Sequence, residues 1–183
     1  MSRQQKGFTM VELIVVIIIL GILAAVALPR FTNLQRDARV AKLNAARGAV
    51  ASSMALVHGT AMARHNLTQP NCAANVGFGA NPPNINAAGT GSLCTENGRV
   101  QVALLYPAAT LAGVIASAGI VQAAGTPTPA LLTADNYATA NVGGGLQLRV
   151  VGGPAPATCS FTYVAAPTLG QAPTLSAALT DGC

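Results

Sequence analysis

Residues 6–31 read KGFTMVELIVVIIILGILAAVALPRF, and they place one carboxylate, Glu12, near the start of an otherwise apolar run. Between residues 10 and 28, Glu12 is the only charged residue. A helix of this length, at about 1.5 Å per residue, can cross a hydrocarbon layer of about 30 Å. The run therefore predicts a membrane-crossing helix, and the acidic residue inside it needs an explanation.

The rest of the 183-residue chain has a different composition. Hydrophobic residues make up 51% of the whole, which excludes general disorder, but tryptophan is absent and only 8% of the residues are charged. Ala, Gly, Thr, Asn and Pro dominate after the apolar run. We therefore expect one small exported domain with a modest core.

The net charge of +5 belongs mainly to the N-terminal third. Arg3 and Lys6 precede the apolar run. The basic residues that follow it, opposed there only by Asp37, are Arg30, Arg36, Arg39, Lys42, Arg47 and Arg64. The near balance of charge from residue 65 onward does not indicate a basic sheet face for nucleic acid, whereas a basic stripe on a helix stays open. We do not expect DNA to be a direct partner.

A secretory signal and a plain membrane anchor are two simple interpretations of the N-terminus. A signal would need an apolar region over residues 11–23 and a small-residue cleavage site at residues 25–27. Glu12 interrupts that region, and such cleavage would leave Pro29 second in the product. A plain anchor with basic residues inside leaves Glu12 unexplained, because a carboxylate in hydrocarbon costs about 2.5 to 3.5 kcal/mol without a partner.

A third interpretation accounts for these residues together, because MSRQQKG followed by FTMVELIVVIIILGILAAVALPRF resembles the N-terminus of type IV prepilins. In that family a short basic leader ends in glycine, a dedicated membrane peptidase cuts after it, and the new N-terminal phenylalanine is methylated. The resemblance implies cleavage between Gly7 and Phe8 and methylation of Phe8. Glu12 matches the acidic residue four positions on, and Pro29 matches the proline that bends the helix.

The charges of such a mature chain would select how subunits dock. Cleavage after Gly7 gives Phe8 a cationic amine, which is costly in lipid for the same reason as the carboxylate of Glu12. Within one helix the two groups lie one turn apart. Between subunits, Glu12 of an incoming chain would meet the Phe8 amine of a docked one, because a mismatch leaves both charges unpaired. We therefore expect Phe8 and Glu12 to act in assembly.

Two residues weaken the helix within the apolar run. Pro29 removes a backbone hydrogen bond and its ring clashes with the preceding turn, so we expect a bend or local break nearby. Gly21 lowers helix propensity by about 1 kcal/mol relative to alanine. Residues 21–29 are therefore predicted to be helical in the membrane and extended in a filament, as in relatives whose filaments stretch under load.

Residues 31–63 contain no proline and carry two apolar stripes at helical spacing. The bulkier stripe consists of Val40, Leu43, Val50, Met54 and Val57. The other stripe is mostly small and consists of Phe31, Leu34, Ala38, Ala41, Ala45, Ala49, Ser52 and Leu56. We expect the bulky stripe to pack on the protein's own sheet and the small stripe to let neighbouring helices approach closely. The alternative is that both stripes pack within one domain.

The C-terminal part predicts an α+β fold, in which one long helix packs on a small antiparallel sheet closed by a disulfide loop. This is also the pilin architecture that the resemblance implies. Residues 67–94 read as a long irregular connection, and residues 110–120 as a short helix. Residues 99–106, 145–151 and 158–164 read as strands, the second of which alternates apolar and polar residues as in a half-buried sheet.

These patterns set the expected domain boundaries. The leader covers residues 1–7, the transmembrane or filament-core helix 8–30, and the amphipathic half of the helix 31–64. A globular head covers 65–183, with a loop over 65–97 and the sheet and disulfide loop over 98–183.

Four cysteines, Cys72, Cys94, Cys159 and Cys183, all follow the apolar run. An even count in an exported part suggests two disulfides, for which three connectivities exist. We favour Cys72 with Cys94 and Cys159 with Cys183, because each pair closes a local loop of about 20 residues that contributes roughly 3 kcal/mol. Zinc is the weaker interpretation, since no C-x-x-C pair occurs.

No group of residues predicts catalysis, a metal site or a cofactor. His58 and His65 lie on one predicted helix that offers no third ligand. Asp135 and Asp181, with the distant Glu96, are too few carboxylates for the Ca²⁺ site of major secretion pseudopilins. No nucleotide-binding loop is present, so the energy for any assembly must come from a separate motor.

Two further segments, FTNLQRDARVAKLNAARGAV and YPAATLAGVIASAGI, look similar to mannose-sensitive-haemagglutinin-type major pilins. The resemblance implies a structural subunit, not an enzyme, which is held in the inner membrane and then polymerises with identical subunits into an extracellular type IV pilus for adhesion or surface motility. Its partners would be prepilin peptidase, an assembly platform with a separate ATPase motor, and a surface receptor or glycan. A pseudopilin of a type II secretion system is the alternative, and a membrane-anchored lectin-like module is a third hypothesis.

Overall fold

The computed structural model describes residues 8–67, 84–95, 98–121 and 126–183. The predicted leader with Gly7, Cys72, and most of the predicted irregular connection lie outside these residues. The chain divides after Ala38 into two compact units. Helix α1 (Met10–Ala63) contributes to both of them.

In the first unit the apolar run forms the N-terminal part of α1. Its large apolar side chains between residues 10 and 28 are each at least 47% exposed, so they pack into no core. By length and composition, this helix could cross a membrane. The helix is continuous through Gly21 and Pro29. The extended form in a filament stays a prediction.

The first sheet has three antiparallel strands in the order β1 (Gly91–Thr95), β2 (Gly98–Ala103) and β3 (Tyr106–Pro107). Strand β1 lies in the segment that we expected to be irregular. The single strand expected over residues 99–106 is wrong, because the chain reverses at Leu104 and Leu105, whose φ angles are 53° and 69°. The N–H of Leu105 donates to the main-chain oxygen of Gly89 at 2.8 Å, which holds this turn against the preceding loop.

The second sheet has four antiparallel strands in the order β4 (Tyr137–Val142), β5 (Gly145–Val150), β6 (Ser160–Val164) and β7 (Thr174–Leu175). Strands β5 and β6 confirm two predicted strands, whereas the sequence analysis does not predict β4 and β7. Gly143 and Gly144, with φ angles of 58° and 77°, form the turn between β4 and β5. A two-residue hairpin turn of this kind requires positive φ. The expected single sheet is therefore two sheets.

Short helical segments connect the strands. The helix predicted over residues 110–120 is present as a π-helical turn (Leu111–Ile115) that continues into α2 (Ala116–Ala118). Thr110 caps it, because its Oγ1 accepts a hydrogen bond from Gly113 N–H at 3.0 Å. Helix α3 (Pro129–Ala134) precedes β4, and a 3-10 turn (Pro156–Thr158) precedes β6.

The bulky stripe of α1 forms the main core, as predicted. Leu43 and Val50 are fully buried and belong to one cluster with Leu148, Phe161 and Tyr163 of the second sheet. Phe161 and Tyr163 lie two residues apart on β6 and therefore share its buried face. Burying each such side chain contributes about 1.5 to 3 kcal/mol.

A second, smaller core forms farther along the helix. Val57 and Ala61 of α1 are buried with Leu93 and Val100 of the first sheet. A hydrogen bond joins the two sheets: the hydroxyl of Tyr163 in β6 donates to the main-chain oxygen of Pro107 in β3 at 2.5 Å. One helix thus packs against both sheets.

The outer positions of β5 correct the expectation of a half-buried sheet. Gln147 is only 8% exposed, although the alternating pattern places it on the polar face. Its Nε2 donates to Ser160 Oγ at 3.0 Å, and Arg149 Nε donates to its Oε1 at 2.6 Å. Gln147 can be buried because both ends of its amide have partners.

One predicted disulfide is present. Cys159, immediately before β6, is bonded to Cys183, with Cα atoms 4.8 Å apart. Both cysteines are buried beside the main core, so the bond closes the C-terminal loop onto the second sheet. Cys94 is also disulfide-bonded. Its predicted partner, Cys72, lies outside the described residues, and that pairing stays a prediction.

The two stripes of α1 provide a matched test of this packing. Leu43→Ala should lower the free energy of unfolding by about 2 to 5 kcal/mol, because it leaves a cavity in the main core. Leu56→Ala, on the small stripe at 72% exposure, should change it by no more than about 0.5 kcal/mol. Denaturant unfolding of the full chain in detergent micelles, followed by tyrosine fluorescence, measures both. Equal losses in the two variants would contradict the assignment of the stripes.

Candidate assembly surface

The N-terminus of α1 is closed by reciprocal hydrogen bonds between Thr9 and Glu12. One carboxylate oxygen of Glu12 accepts from the N–H of Thr9 and from its hydroxyl, each at 2.9 Å. In return, the N–H of Glu12 donates to Thr9 Oγ1 at 3.3 Å. This is a capping box, in which the first turn of a helix satisfies its own free donors.

Glu12 thus has a partner that the sequence analysis does not name. We expected its carboxylate to meet the Phe8 amine. Among the described residues, its hydrogen-bond partner is instead Thr9. The Phe8 amine exists only after cleavage, so its pairing with Glu12 stays a prediction. The missed residue was visible as the T-x-x-E pattern that opens the apolar run at Thr9.

The apolar face beyond this cap is large and uncovered. Phe8 is 89% exposed, and the side chains that follow it are exposed on every side of the helix. Monomeric soluble proteins seldom expose contiguous apolar patches above a few hundred Å². This part of α1 therefore requires a lipid or protein environment.

The small stripe of α1 is also largely exposed to solvent. Its described members Leu34, Ala38, Ala41, Ala45, Ser52 and Leu56 are exposed, and Ala49 is half-buried. Because the bulky stripe is occupied by the protein's own sheets, the small stripe is left free for another partner. Small side chains let a second helix approach closely. The side chain of Phe31 lies outside what the structure describes.

Three of the basic residues after the apolar run, Arg39, Lys42 and Arg47, make contacts inside the second unit. Arg39 donates through Nε to the main-chain oxygen of Cys183, and Arg47 does so to that of Ser176 at 2.7 Å. Lys42 donates to the main-chain oxygen of Asp135, and its Nζ lies 4.3 Å from the centre of the Tyr137 ring. Burial raises the pKa of Tyr137, with a smaller contribution from the nearby Asp135 charge, so the ring stays neutral beside the lysine. These cations fix the helix to the second sheet and do not form a free basic stripe.

The residues considered for metal binding have structural contacts. His58 stacks on Tyr106 with ring centres 4.0 Å apart, and its Nδ1 lies 3.1 Å from the main-chain oxygen of Leu105. His65 Nε2 lies 3.2 Å from the main-chain oxygen of Ala87. Among the residues that the structure describes, no group of three or more His, Cys, Asp or Glu could hold a metal ion.

The N-terminal segment that contains Thr9 and Glu12 is also the part of the chain that matches known proteins. Residues 2–28 match the prokaryotic N-terminal methylation motif. This segment is similar to the N-terminal segments of type IV pilins. A type IV narrow pilus major component of Thermus thermophilus is 49% identical over 51 residues, which cover 28% of this chain and 44% of the relative.

Two further relatives have similar names. A type IV major fimbrial protein of Dichelobacter nodosus is 42% identical over 48 residues, covering 26% of this chain and 31% of the relative. A type IV major pilin protein of Neisseria gonorrhoeae is 52% identical over 42 residues, covering 23% of this chain and 26% of the relative. The chain thus spans less than half the length of each relative. No solved structure matches it significantly.

The fold agrees with this relationship beyond the matched segment. A long N-terminal helix, antiparallel sheets and the Cys159–Cys183 disulfide are the elements of the pilin fold. The finer similarity to mannose-sensitive-haemagglutinin-type pilins stays a prediction.

The capping box predicts a specific weakness at the start of α1. Thr9→Val keeps the shape of the side chain but removes the capping oxygen, which should weaken the first turn by about 1 kcal/mol. We expect the Glu12 amide to exchange hydrogen about fivefold faster, measured by NMR on the full chain in micelles. Thr9→Ser keeps the hydroxyl and should keep the wild-type rate. Unchanged exchange in Thr9→Val would show that the cap does not stabilise this turn.

Proposed function

We propose that this chain is the major structural subunit of a type IV pilus and polymerises through its N-terminal helix into an extracellular filament. The observation that carries the proposal is the uncovered apolar surface of α1 within a segment that matches the methylation motif. Removing such a surface from water is strongly favourable, in lipid or among copies of the same helix. The relatives are named as major components of fibres, which favours copies.

In this proposal the subunit is first processed in the membrane and then assembled into the filament. Prepilin peptidase removes residues 1–7 by cutting between Gly7 and Phe8, and Phe8 is methylated. Residues 8–30 first hold the chain in the inner membrane and later line the filament core, where residues 21–29 become extended. An assembly platform with a separate ATPase motor drives the transfer.

The remaining regions would serve the assembled fibre. Residues 31–64 present the small stripe to neighbouring subunits, while their bulky stripe holds the head of residues 65–183. The head lies on the outside of the filament on the cell surface. Adhesion, through a surface receptor or glycan, and surface motility are proposed as activities of the polymer, and we propose no enzymatic step for the subunit.

The docking step depends on an exchange of partners at Glu12. In the isolated chain the carboxylate accepts hydrogen bonds from Thr9, which is neutral and leaves the negative charge uncompensated. After cleavage, the Phe8 amine of a neighbouring subunit offers a full positive charge. Ion pairing in a medium of low dielectric constant is far stronger than the same contact in water. A correct axial position therefore pairs both charges, and a shifted one leaves both unpaired.

Fibres sheared from the cell surface test the function directly. Electron microscopy should show long filaments, and mass spectrometry should identify this chain as their main component, beginning at a methylated Phe8. A secretion defect without visible fibres would instead support a type II secretion pseudopilin. Monomeric chains in the envelope that begin at Met1 or Leu28 would contradict the proposal.

A carboxylate substitution tests the docking step alone. Glu12→Ala and Glu12→Leu should leave membrane insertion intact, because both remove a charge from the hydrocarbon, and should abolish or strongly reduce filaments. Asp37→Ala is the matched control, since it removes an exposed carboxylate of the same helix outside the apolar run. It should keep the wild-type filament yield. Membrane fractionation and quantification of sheared fibres measure both outcomes, and wild-type yield in the Glu12 variants would refute the role of the charge.

A further inference from the structure

A small cavity lies on the outer face of the first sheet, away from α1. Its volume is about 320 Å³, and its described lining residues are Gly91, Ser92, Arg99, Gln101, Ala112 and Thr126. Cross-strand pairing sets Ser92 opposite Gln101 in β1 and β2. Arg99 lies two residues from Gln101 and so shares its face, whereas Val100 between them points into the core.

The side-chain oxygens of Ser92 and Gln101 already accept hydrogen bonds. Ser92, only 8% exposed, accepts a hydrogen bond at its Oγ from Arg99 Nε at 2.9 Å. The amide oxygen of Gln101 accepts from the hydroxyl of Thr110 at 3.0 Å. Thr110 Oγ1 also accepts from Gly113 N–H at 3.0 Å. With its amide oxygen bonded to Thr110, Gln101 keeps its amide nitrogen as a donor.

What remains around the cavity is a set of donors. The two terminal nitrogens of Arg99 have no recorded partner within the described part of the chain, and neither has the Gln101 amide nitrogen. The hydroxyl proton of Ser92 is free to rotate toward the cavity, because its oxygen is held by Arg99. None of the described lining residues is acidic. A guanidinium beside two neutral donors matches the acceptor oxygens of a carboxylate or phosphate.

We propose that this cavity is a binding site for the oxyanion of a small polar molecule, a sugar carboxylate or a phosphate, held by Arg99, Gln101 and Ser92. Arg99 supplies the charge, Gln101 donates through its amide nitrogen, and Ser92 donates its hydroxyl proton. Gly91 and Ala112 form walls without long side chains, which leaves room for a ring beside the anionic group. The volume lies at the lower end of small-molecule pockets, about 300 to 1,000 Å³, and suits a monosaccharide.

The site can be tested with four probes on the labelled full chain in neutral detergent micelles at low salt. Galacturonate and glucose 6-phosphate should shift the NMR signals of Ser92, Arg99 and Gln101, whereas the neutral sugar galactose should not. Inorganic phosphate separates the two sources of the oxyanion. If inorganic phosphate and glucose 6-phosphate bind and galacturonate does not, the site binds phosphate groups. If galacturonate binds and the two phosphate probes do not, the site binds sugar acids. Galactose binding as well as galacturonate, or no shift with any anion at tens of millimolar, would overturn the proposal.

Three variants assign the binding to the named side chains. Arg99→Gln should weaken binding at least tenfold, because it removes the charge and the fork of donors. Gln101→Glu, at an exposed position where the fold tolerates a charge, should abolish binding by repulsion. Arg149→Gln is the matched control, since Arg149 is also half-buried on a strand with its Nε bonded to a side chain, and it should bind normally. Wild-type binding by Arg99→Gln and Gln101→Glu would exclude this cavity.

Discussion

Helix α1 has two apolar faces, and its own chain covers only one of them. The rest of the fold follows from this imbalance. The second half of α1 buries Leu43 and Val50 against two sheets and leaves Leu56 72% exposed. In its first half, the described large apolar side chains between residues 10 and 28 are each at least 47% exposed. The uncovered surface needs a lipid or protein partner outside the chain, and this requirement links the fold to the proposed assembly.

Which face stays uncovered is set by polar contacts as well as by side-chain size. Arg39, Lys42 and Arg47, one helical turn or so apart, each donate to a main-chain oxygen in the second unit. A main-chain oxygen near a turn often lacks an intrachain partner, and a charged donor makes a strong bond to it. These contacts fix the rotation of the helix on the head. The small stripe is consequently presented in one defined direction.

The sequence predicts the parts of this fold that follow from period and composition, and not those that follow from tertiary context. The stripes of α1 and strands β5 and β6 follow from periodicity and composition, and the Cys159–Cys183 bond is the favoured one of the possible pairings because it closes a local loop. The reversal at Leu104 and Leu105 could not be predicted, because leucine rarely adopts positive φ without support from its surroundings. Gln147 is buried only because Ser160 and Arg149 meet it in three dimensions. The sequence does contain patterns that indicate the hairpin turn at Gly143 and the helix cap at Thr9. It contains no pattern that indicates the group of hydrogen-bond donors around Arg99.

The capping box changes how the charge of Glu12 should be understood. An unpartnered carboxylate in the apolar run would be free to bind any cation, whereas one held by Thr9 is satisfied locally until a better partner arrives. The cap contributes about 1 kcal/mol, and an unpaired buried charge costs several. An amine on a neighbouring chain can therefore displace Thr9 at small cost, but a neutral polar group cannot. The cap thus keeps the carboxylate oriented at the helix end without competing seriously with the ion pair that we propose sets the register.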